Sequence, residues 1–339
     1  MLTGPMGKPG RPSRRSIYRQ LDRAVDELAN VGGLPLPAEA EGIWEGIWVE
    51  ETHNSTAIEG NTLVQRQVQL LLEEGKAVGS KDLAEYLEVQ SYGEAALWVY
   101  RQAHRSDRDW SDDAILHLSE VREIHERVIS TVWRHAPPEQ LHDEEGPGSF
   151  RRHDIRPFAS GMKPPPWPDV PARMHNWVAA ANDVSATTDV HLMEQLAALH
   201  AAFERIHPFR DGNGRVGRLL VNVLLVRHGY PPAIVYKRDR TKYLRSLERS
   251  DQGDDGPLGE LFARSVKHSI DRFLLPGLAG PHRMVPLVAL ADDELSHNAL
   301  HTAAKRGRLR AQRQRDQWYS TKQWVEEYKR SRYRRRGAL

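Results

Sequence analysis

His207, Asp211, Gly212, Asn213, Gly214, Arg215 and Arg218 fall in one short stretch, Ile206-His207-Pro208-Phe209-Arg210-Asp211-Gly212-Asn213-Gly214-Arg215-Val216-Gly217-Arg218. His207 is the only group in it able to take a proton near neutral pH. Asp211 supplies a hard oxygen ligand, suited to magnesium carried by a phosphate. Glycines let a polyanion approach backbone N–H groups, so Gly212-Asn213-Gly214 can cradle phosphate if it opens a helix. Arg215 and Arg218, three residues apart on that helix, can reach the same anion. Together these groups fit chemistry on a nucleoside phosphate.

The flanking segments can hold such a loop. Leu192, Leu196, Leu199, Phe203 and Ile206 recur at helical steps before it, and Leu219, Leu220, Val223, Leu224 and Val226 follow as a largely buried second helix. Gly212 to Gly217 formally matches a dinucleotide fingerprint, but that pattern has meaning only after a strand, and a helix precedes it here. His191, His200 and His207 lack the i, i+4 pairing of a zinc helix, and no His-Glu-x-x-His occurs.

The stretch resembles the core motif of the Fic family, His-x-Phe-x-Asp/Glu-Gly-Asn-Gly-Arg-x-x-Arg, with every fixed position met. The resemblance implies an all-helical core that transfers AMP from ATP to a Ser, Thr or Tyr hydroxyl of a protein. It makes His207 the base and Asp211 the Mg2+ ligand. Gly212, Asn213 and Gly214 would hold the α/β phosphates with help from Arg215, and Arg218 would grip the γ-phosphate. Gly214, where kinase-like relatives carry Lys, implies nucleotidyl transfer.

A second motif lies upstream. Ser55-Thr56-Ala57-Ile58-Glu59-Gly60 resembles the family's inhibitory pattern Ser/Thr-x-x-x-Glu-Gly/Asn, whose glutamate pairs with the second motif arginine, here Arg218. An arginine fork takes a carboxylate or a γ-phosphate but not both. A charged pair worth about 1.5–3 kcal/mol would suppress productive ATP binding roughly 10- to 150-fold. Phe150-Arg151-Arg152-His153-Asp154-Ile155 resembles the flap that aligns a target segment by strand addition, with Ile155 facing the target. Pro157-Phe158 departs from the family's polar run there. Tyr243 and Leu244 would flank the base, with Asp251 at the place of a family Asn contact. His142 to Glu145 reads as a solvated acidic loop.

The chain has 339 residues, a formal charge of +2, 39% hydrophobic content and no cysteine, which excludes disulfides and thiolate metal sites. The longest apolar run, Leu219 to Val226, is too short to span a bilayer, so no membrane association and a cytoplasmic location are expected. Charge is uneven. From Lys305 to Arg336 there are thirteen Lys/Arg against three Asp/Glu, a net +10 that leaves −8 elsewhere. Val285 to Ala291 reads as a short helix, and Ser296 can cap another through Leu300 to Arg306. Leu309 to Tyr319 suits a hairpin, and Ser320 with Gln323 forms a capping box for a last helix. This order resembles an excisionase/MerR-like winged helix-turn-helix, which implies DNA as a partner through residues 296–336. Residues 297–306 would enter the major groove and the Arg310–Arg315 hairpin would contact phosphates.

Further helices are expected over Ser16 to Leu28, Gly42 to Thr52, residues 81–104 and 112–133, and Leu258 to Leu275. Thr62 with Gln65 reads as another capping box, and Asp239 as the cap of the helix carrying Tyr243. The expected fold is all-α: a Fic helical core with a small flap hairpin, plus a small C-terminal winged helix-turn-helix domain. The boundaries read as 1–13 disordered, 14–110 with the inhibitory helix, 111–275 the Fic core, 276–283 a linker and 284–339 the tail domain. The function expected is an autoinhibited protein adenylyltransferase using ATP and Mg2+ on a protein with an exposed hydroxyl, and a homodimer is implied because relatives often dimerise. The alternatives are a nucleotide-sensing transcriptional or toxin-like regulator, and removal of AMP at the same site with Glu59 orienting water.

Overall fold

A computed structural model describes residues 12–30, 32–103, 114–139, 144–158, 161–185, 188–278, 284–314 and 317–336. Expectations for residues 1–11, 104–113, His142, Asp143, 279–283 and Arg315 lie outside these. The order runs α1 (Arg14–Ala29), α2 (Glu41–Glu59), α3 (Gln65–Glu74), α4 (Leu83–Ala103), α5 (Leu118–His135), α6 (Val170–Asn182), α7 (Leu192–Ile206), α8 (Asn213–Arg227), α9 (Arg240–Asp251), α10 (Gly256–Ser269) and α11 (Leu275–Leu278). A short module follows: β1 (Val285–Pro286), α12 (His297–Lys305), β2 (Gln312–Gln314), β3 (Gln317–Ser320) and α13 (Lys322–Arg336). Between α10 and α11 the helix continues through a π turn, Ile270–Leu274.

Helix α8 is the centre of the bundle. Val216, Leu219, Leu220, Val223, Leu224 and Leu225 are almost wholly buried, and α2, α4, α5 and α7 pack around it. A helix apolar on nearly every side belongs in a core. Because its first two turns carry Asn213, Arg215 and Arg218, burying the rest of the helix fixes where those groups lie.

Helix α2 runs seven residues beyond the expected end at Thr52, to Glu59. His53-Asn54-Ser55-Thr56 are mediocre helix formers, so local propensity gave no sign of the extension. Tertiary burial overrides it. Asn54 and Thr56 bond back to the Glu50 and Thr52 carbonyls, each at 2.8 Å. One turn earlier, buried Glu51 accepts from Tyr92 (2.8 Å), Asn222 (2.8 Å) and the Tyr100 hydroxyl, tying α2 to α4 and α8. Burial pushes its carboxyl up to about 7.

Other local assignments also move. Gln67, not Gln65, caps α3, accepting the Val64 N–H at 3.0 Å, while Thr62 bonds Glu85. Asp239 precedes α9 but makes no side-chain cap. Thr321, not Ser320, caps α13, accepting the Trp324 N–H at 3.1 Å. The expected helix Val285–Ala291 is a two-residue strand followed by a 3-10 turn, Leu287–Leu290. The module's sheet has the order β1-β3-β2, all antiparallel. Its Leu287, Leu290, Leu295, Leu300 and Val325 belong to the same buried cluster as the helical core. Residues 276–278 of the expected linker are helical, in α11. No described helix is long and apolar enough to cross a membrane.

Candidate active site

The loop between α7 and α8 is built by reciprocal bonds. Asn213, 2% exposed, accepts the Phe209 N–H at 2.9 Å and donates to the Phe209 carbonyl at 2.8 Å. Its side chain is spent on bracing the loop, so only its backbone is free to face a phosphate. Beneath it, His125 stacks on Phe209 with centroids 3.8 Å apart. His125 Nδ1 accepts the Gly148 N–H at 2.9 Å, and its Nε2 lies 3.2 Å from the Asp211 carbonyl. Burial holds this imidazole down at about 3, so it is a neutral brace.

His207 ends α7 in the left-handed region (φ +48°), the only described non-glycine residue with positive φ. Such a conformation costs on the order of 1–2 kcal/mol and persists where surroundings over-determine it. They do so here. The His207 carbonyl accepts Arg151 Nε at 2.8 Å, and Arg151 also donates to the carbonyls of His153 (2.8 Å) and Pro165 (2.6 Å). The Arg151 N–H donates to the Pro208 carbonyl at 2.9 Å. Buried Arg151 thus rivets the arm that follows Phe150 to the loop between α7 and α8. Nδ1 of His207 lies 3.2 Å from the Glu204 carbonyl, which fixes the tautomer with Nε2 as the open base. Burial holds the ring down at about 4, so it is neutral at physiological pH.

The flap is an extended arm, with no strand assigned among its described residues and a turn bond from the Phe158 N–H to the Met162 carbonyl at 2.9 Å. The hairpin expected there is thus not formed by strands among the described residues. Ile155 is half-buried on this arm, and Phe158 sets its ring edge-on to His207 at 5.1 Å. Glu145 is not solvated as expected. It is buried, accepts the Arg152 N–H, and meets His153 Nδ1 at 2.5 Å and Arg210 at 3.1 Å.

At the amino end of α8, Gly212 takes the left-handed conformation (φ +76°) that turns the chain into the helix. Asp211 beside it is 56% exposed at the side chain and accepts the Gly212 N–H at 2.5 Å. No cluster of three or more ligating groups suited to a metal occurs among the described residues. One exposed carboxylate fits magnesium, which needs few protein ligands when phosphate oxygens supply the rest.

Both motif arginines are held by acids. Arg218, 4% exposed, donates Nε to Ser55 Oγ (2.7 Å) and Nη2 to the Ser55 carbonyl (2.9 Å) and Glu59 Oε1 (2.7 Å). Burial alone would push Glu59 up, but Arg218, Arg215 and Arg240 outweigh it and hold the carboxyl below its ordinary value. Arg240 also caps the end of α2, donating to the Ile58 carbonyl at 2.7 Å. A Cβ on Gly214 would stand 2.6 Å from Glu59 Oε1 and 3.1 Å from Arg218 Nη1, so any larger residue there must push the end of the Glu59 side chain aside. Arg215 donates to Glu88 at 2.7 Å and to Asp211 at 3.3 Å.

The residues expected around the base sit differently from one another. Tyr243 is 2% exposed, its hydroxyl 2.7 Å from His200 Nε2 and its ring 5.9 Å beneath the Arg218 guanidinium. Leu244 is half-buried against the core, and Asp251 lies at the end of α9, 3.5 Å from Arg205. Glu204, absent from the sequence reading, is the missed ionisable group. Its side chain is 14% exposed, its Oε1 has no hydrogen-bond partner, and burial pushes it up to about 8. Glu88 and His125 were also missed, and Arg151 was named only as part of the flap segment. The only sequence signal for Glu88 and His125 was one charged or ring-bearing residue on a helix beside apolar neighbours.

Residues 115–225 match the Fic/DOC family. The chain is 31% identical over 276 residues to a protein adenylyltransferase Fic of Aedes aegypti, an alignment covering 80% of this chain and 50% of that protein. The chain therefore spans about half the length of the curated relatives it matches. A crystal structure of a Fic domain containing signaling protein from Bacteroides thetaiotaomicron aligns with a TM-score of 0.60 at 26% identity, covering 76% of this chain and 96% of that one. Fic-1 from C. elegans aligns with a TM-score of 0.61 at 27% identity, covering 77% and 72%. In the present chain the motif loop, α7 and most of α8 lie inside the matched segment 115–225, whereas α2 and the tail module lie outside it.

Proposed function

We propose that this chain transfers AMP from ATP to a hydroxyl of a protein, and that Glu59 restrains it in the resting state. The observation carrying this reading is the Glu59–Arg218 contact at 2.7 Å, directly above Gly214 at the amino end of α8. A γ-phosphate and the Glu59 carboxylate would compete for the same guanidinium. The α/β phosphates would lie on the backbone N–H groups from Gly212 to Gly214, where the helix end adds partial positive charge. Asp211 would hold Mg2+, which neutralises phosphate charge when bound.

In this reading His207 Nε2 takes the proton of the target hydroxyl as its oxygen attacks the α-phosphorus. The bond to the β-phosphate breaks and pyrophosphate leaves. The extended flap around Ile155 would add the target backbone as a neighbouring strand. The test is incorporation of α-labelled AMP by the Glu59→Gly protein, with the modified side chain mapped by mass spectrometry. No label above the His207→Ala background sinks the proposal.

For the tail we propose duplex DNA as the partner. Its support is the β1-β3-β2 order of a winged helix and a helix α12 that exposes Asn298, Thr302, Lys305 and Arg306. Affinity should fall steeply with salt. Absence of gel retardation at low salt for any duplex removes this claim.

A further inference from the structure

We propose that Glu88 of α4 is a positioning residue: it holds Arg215 for the phosphates and ties that arginine to the inhibitory segment through Asn61. This rests on the adenylyltransferase reading, because it assigns Arg215 a phosphate-facing role.

Glu88 divides its two oxygens between two partners. Oε1 accepts Arg215 Nη1 at 2.7 Å, and Oε2 accepts Asn61 Nδ2 at 2.8 Å. Asn61 stands two residues beyond Glu59, just past the glycine that ends α2. It is itself 5% exposed and bound from both sides. Nδ2 also donates to the Glu85 carbonyl at 3.0 Å, and Oδ1 accepts the Leu63 N–H at 3.1 Å. The Thr62 N–H and hydroxyl meet Glu85 at 2.6 and 2.7 Å. Leu63, Val68, Tyr86 and Val89 form a separate buried cluster that presses this turn onto α4. Two successive α4 acids, Glu85 and Glu88, thus fasten the segment that carries Glu59.

Arg215 needs such a partner. Its side chain is 8% exposed and its Nε has no hydrogen-bond partner, so without Glu88 the contact at 3.3 Å to Asp211 would be its remaining ion pair. An arginine freed from Glu88 would close on Asp211 and withhold the oxygen proposed for magnesium. Glu88 therefore acts twice: it limits Arg215 to a long 3.3 Å contact with Asp211, and it keeps the end of α2 seated over the phosphate site. The first action favours nucleotide and the second opposes it.

Opposed actions predict non-additivity between residues that do not touch. The experiment measures binding of Mg2+ and α,β-methylene-ATP to the full chain and its Glu59→Gly, Glu88→Gln and doubly substituted forms. Gln keeps the size of Glu but presents an amide N–H2 to Asn61 and no charge to Arg215. In the Glu59→Gly background, Glu88→Gln should weaken binding by about 5- to 10-fold. With Glu59 present the loss should be at least about 3-fold smaller, because the brake loosens too. In an Asn61→Ala background the two substitutions should become additive. Additivity with Asn61 intact overturns the proposal, as does unchanged affinity in Glu59→Gly/Glu88→Gln. If no form binds nucleotide, the adenylyltransferase reading fails, and the same cycle run on urea unfolding of the nucleotide-free protein decides the link. Additive unfolding free energies there overturn it.

Discussion

Glu59 Oε1 and Arg218 Nη2 lie 2.7 Å apart although 159 residues separate them in the chain. The arginine is buried and the glutamate is 38% exposed at its side chain. Desolvation strengthens the pair from one side, while water screens it from the other. The contact therefore sits between a buried and a surface ion pair.

Its removal is expected to matter but not to dominate. Allowing for exposure, the pair contributes about 1–2 kcal/mol, so Glu59→Gly should raise AMP incorporation by roughly 5- to 30-fold. Initial rates with α-labelled ATP measure it. His207→Ala in the same background should lower the rate by about 100-fold or more.

Gly214→Ala distinguishes relief of the brake from loss of the cradle. The added methyl would displace the flexible end of Glu59, yet it also occupies the surface where phosphate approaches. The expected outcome is a folded protein with a melting temperature near that of the parent and no gain in activity. A Gly214→Ala protein as active as Glu59→Gly would contradict the backbone cradle.

The ring of Phe158 covers part of His207, and burial holds that imidazole down at about 4. Phe158→Ala should admit water and move the His207 titration up toward 6.5, read by NMR of the imidazole protons. The acid limb of activity should move to higher pH with it. An unmoved titration would mean that burial by the loop, not by the flap, sets the basicity.

Glu204 offers a separate stability test. Burial raises its folded value to about 8, above the ordinary 4.5. The folded protein then holds a proton the unfolded chain has released between these values. Its contribution is full below pH 4.5 and is lost as pH rises toward 8. Glu204→Gln should therefore flatten the decline of unfolding free energy between pH 5 and 8. Denaturant titrations at both pH values check it, and parallel curves for parent and variant would show that Glu204 does not carry that proton.

Much of the site was legible in the chain itself. The loop from His207 to Arg218 is contiguous, and its polar residues stand between two helical apolar patterns. A local pattern of that kind needs only near neighbours to be formed, so the α7–loop–α8 unit and the placement of the loop at the amino end of α8 followed from residue order. The pairing of Ser55–Gly60 with Arg218 was expected only because the motif resembles the family's inhibitory pattern, not from residue order. The partners that are distant in sequence could not be found like this. Glu88 and Glu145 looked like ordinary charged residues, and Arg151 like one of several flap cations. Even α2 was cut short at Thr52, since its last turns are helical by burial against α8 and not by propensity.

Sequence alone determined which chemical groups the chain can bring to a phosphate, because spacing within one turn or loop fixes their mutual reach. Tertiary structure alone decided which charges meet. Helices α2 and α4 pack on α8 through residues scattered over the whole chain, and only that packing places Glu59 on Arg218 and Glu88 on Arg215. An ion pair needs its partners within a few ångströms, and no local pattern encodes a distance across the fold.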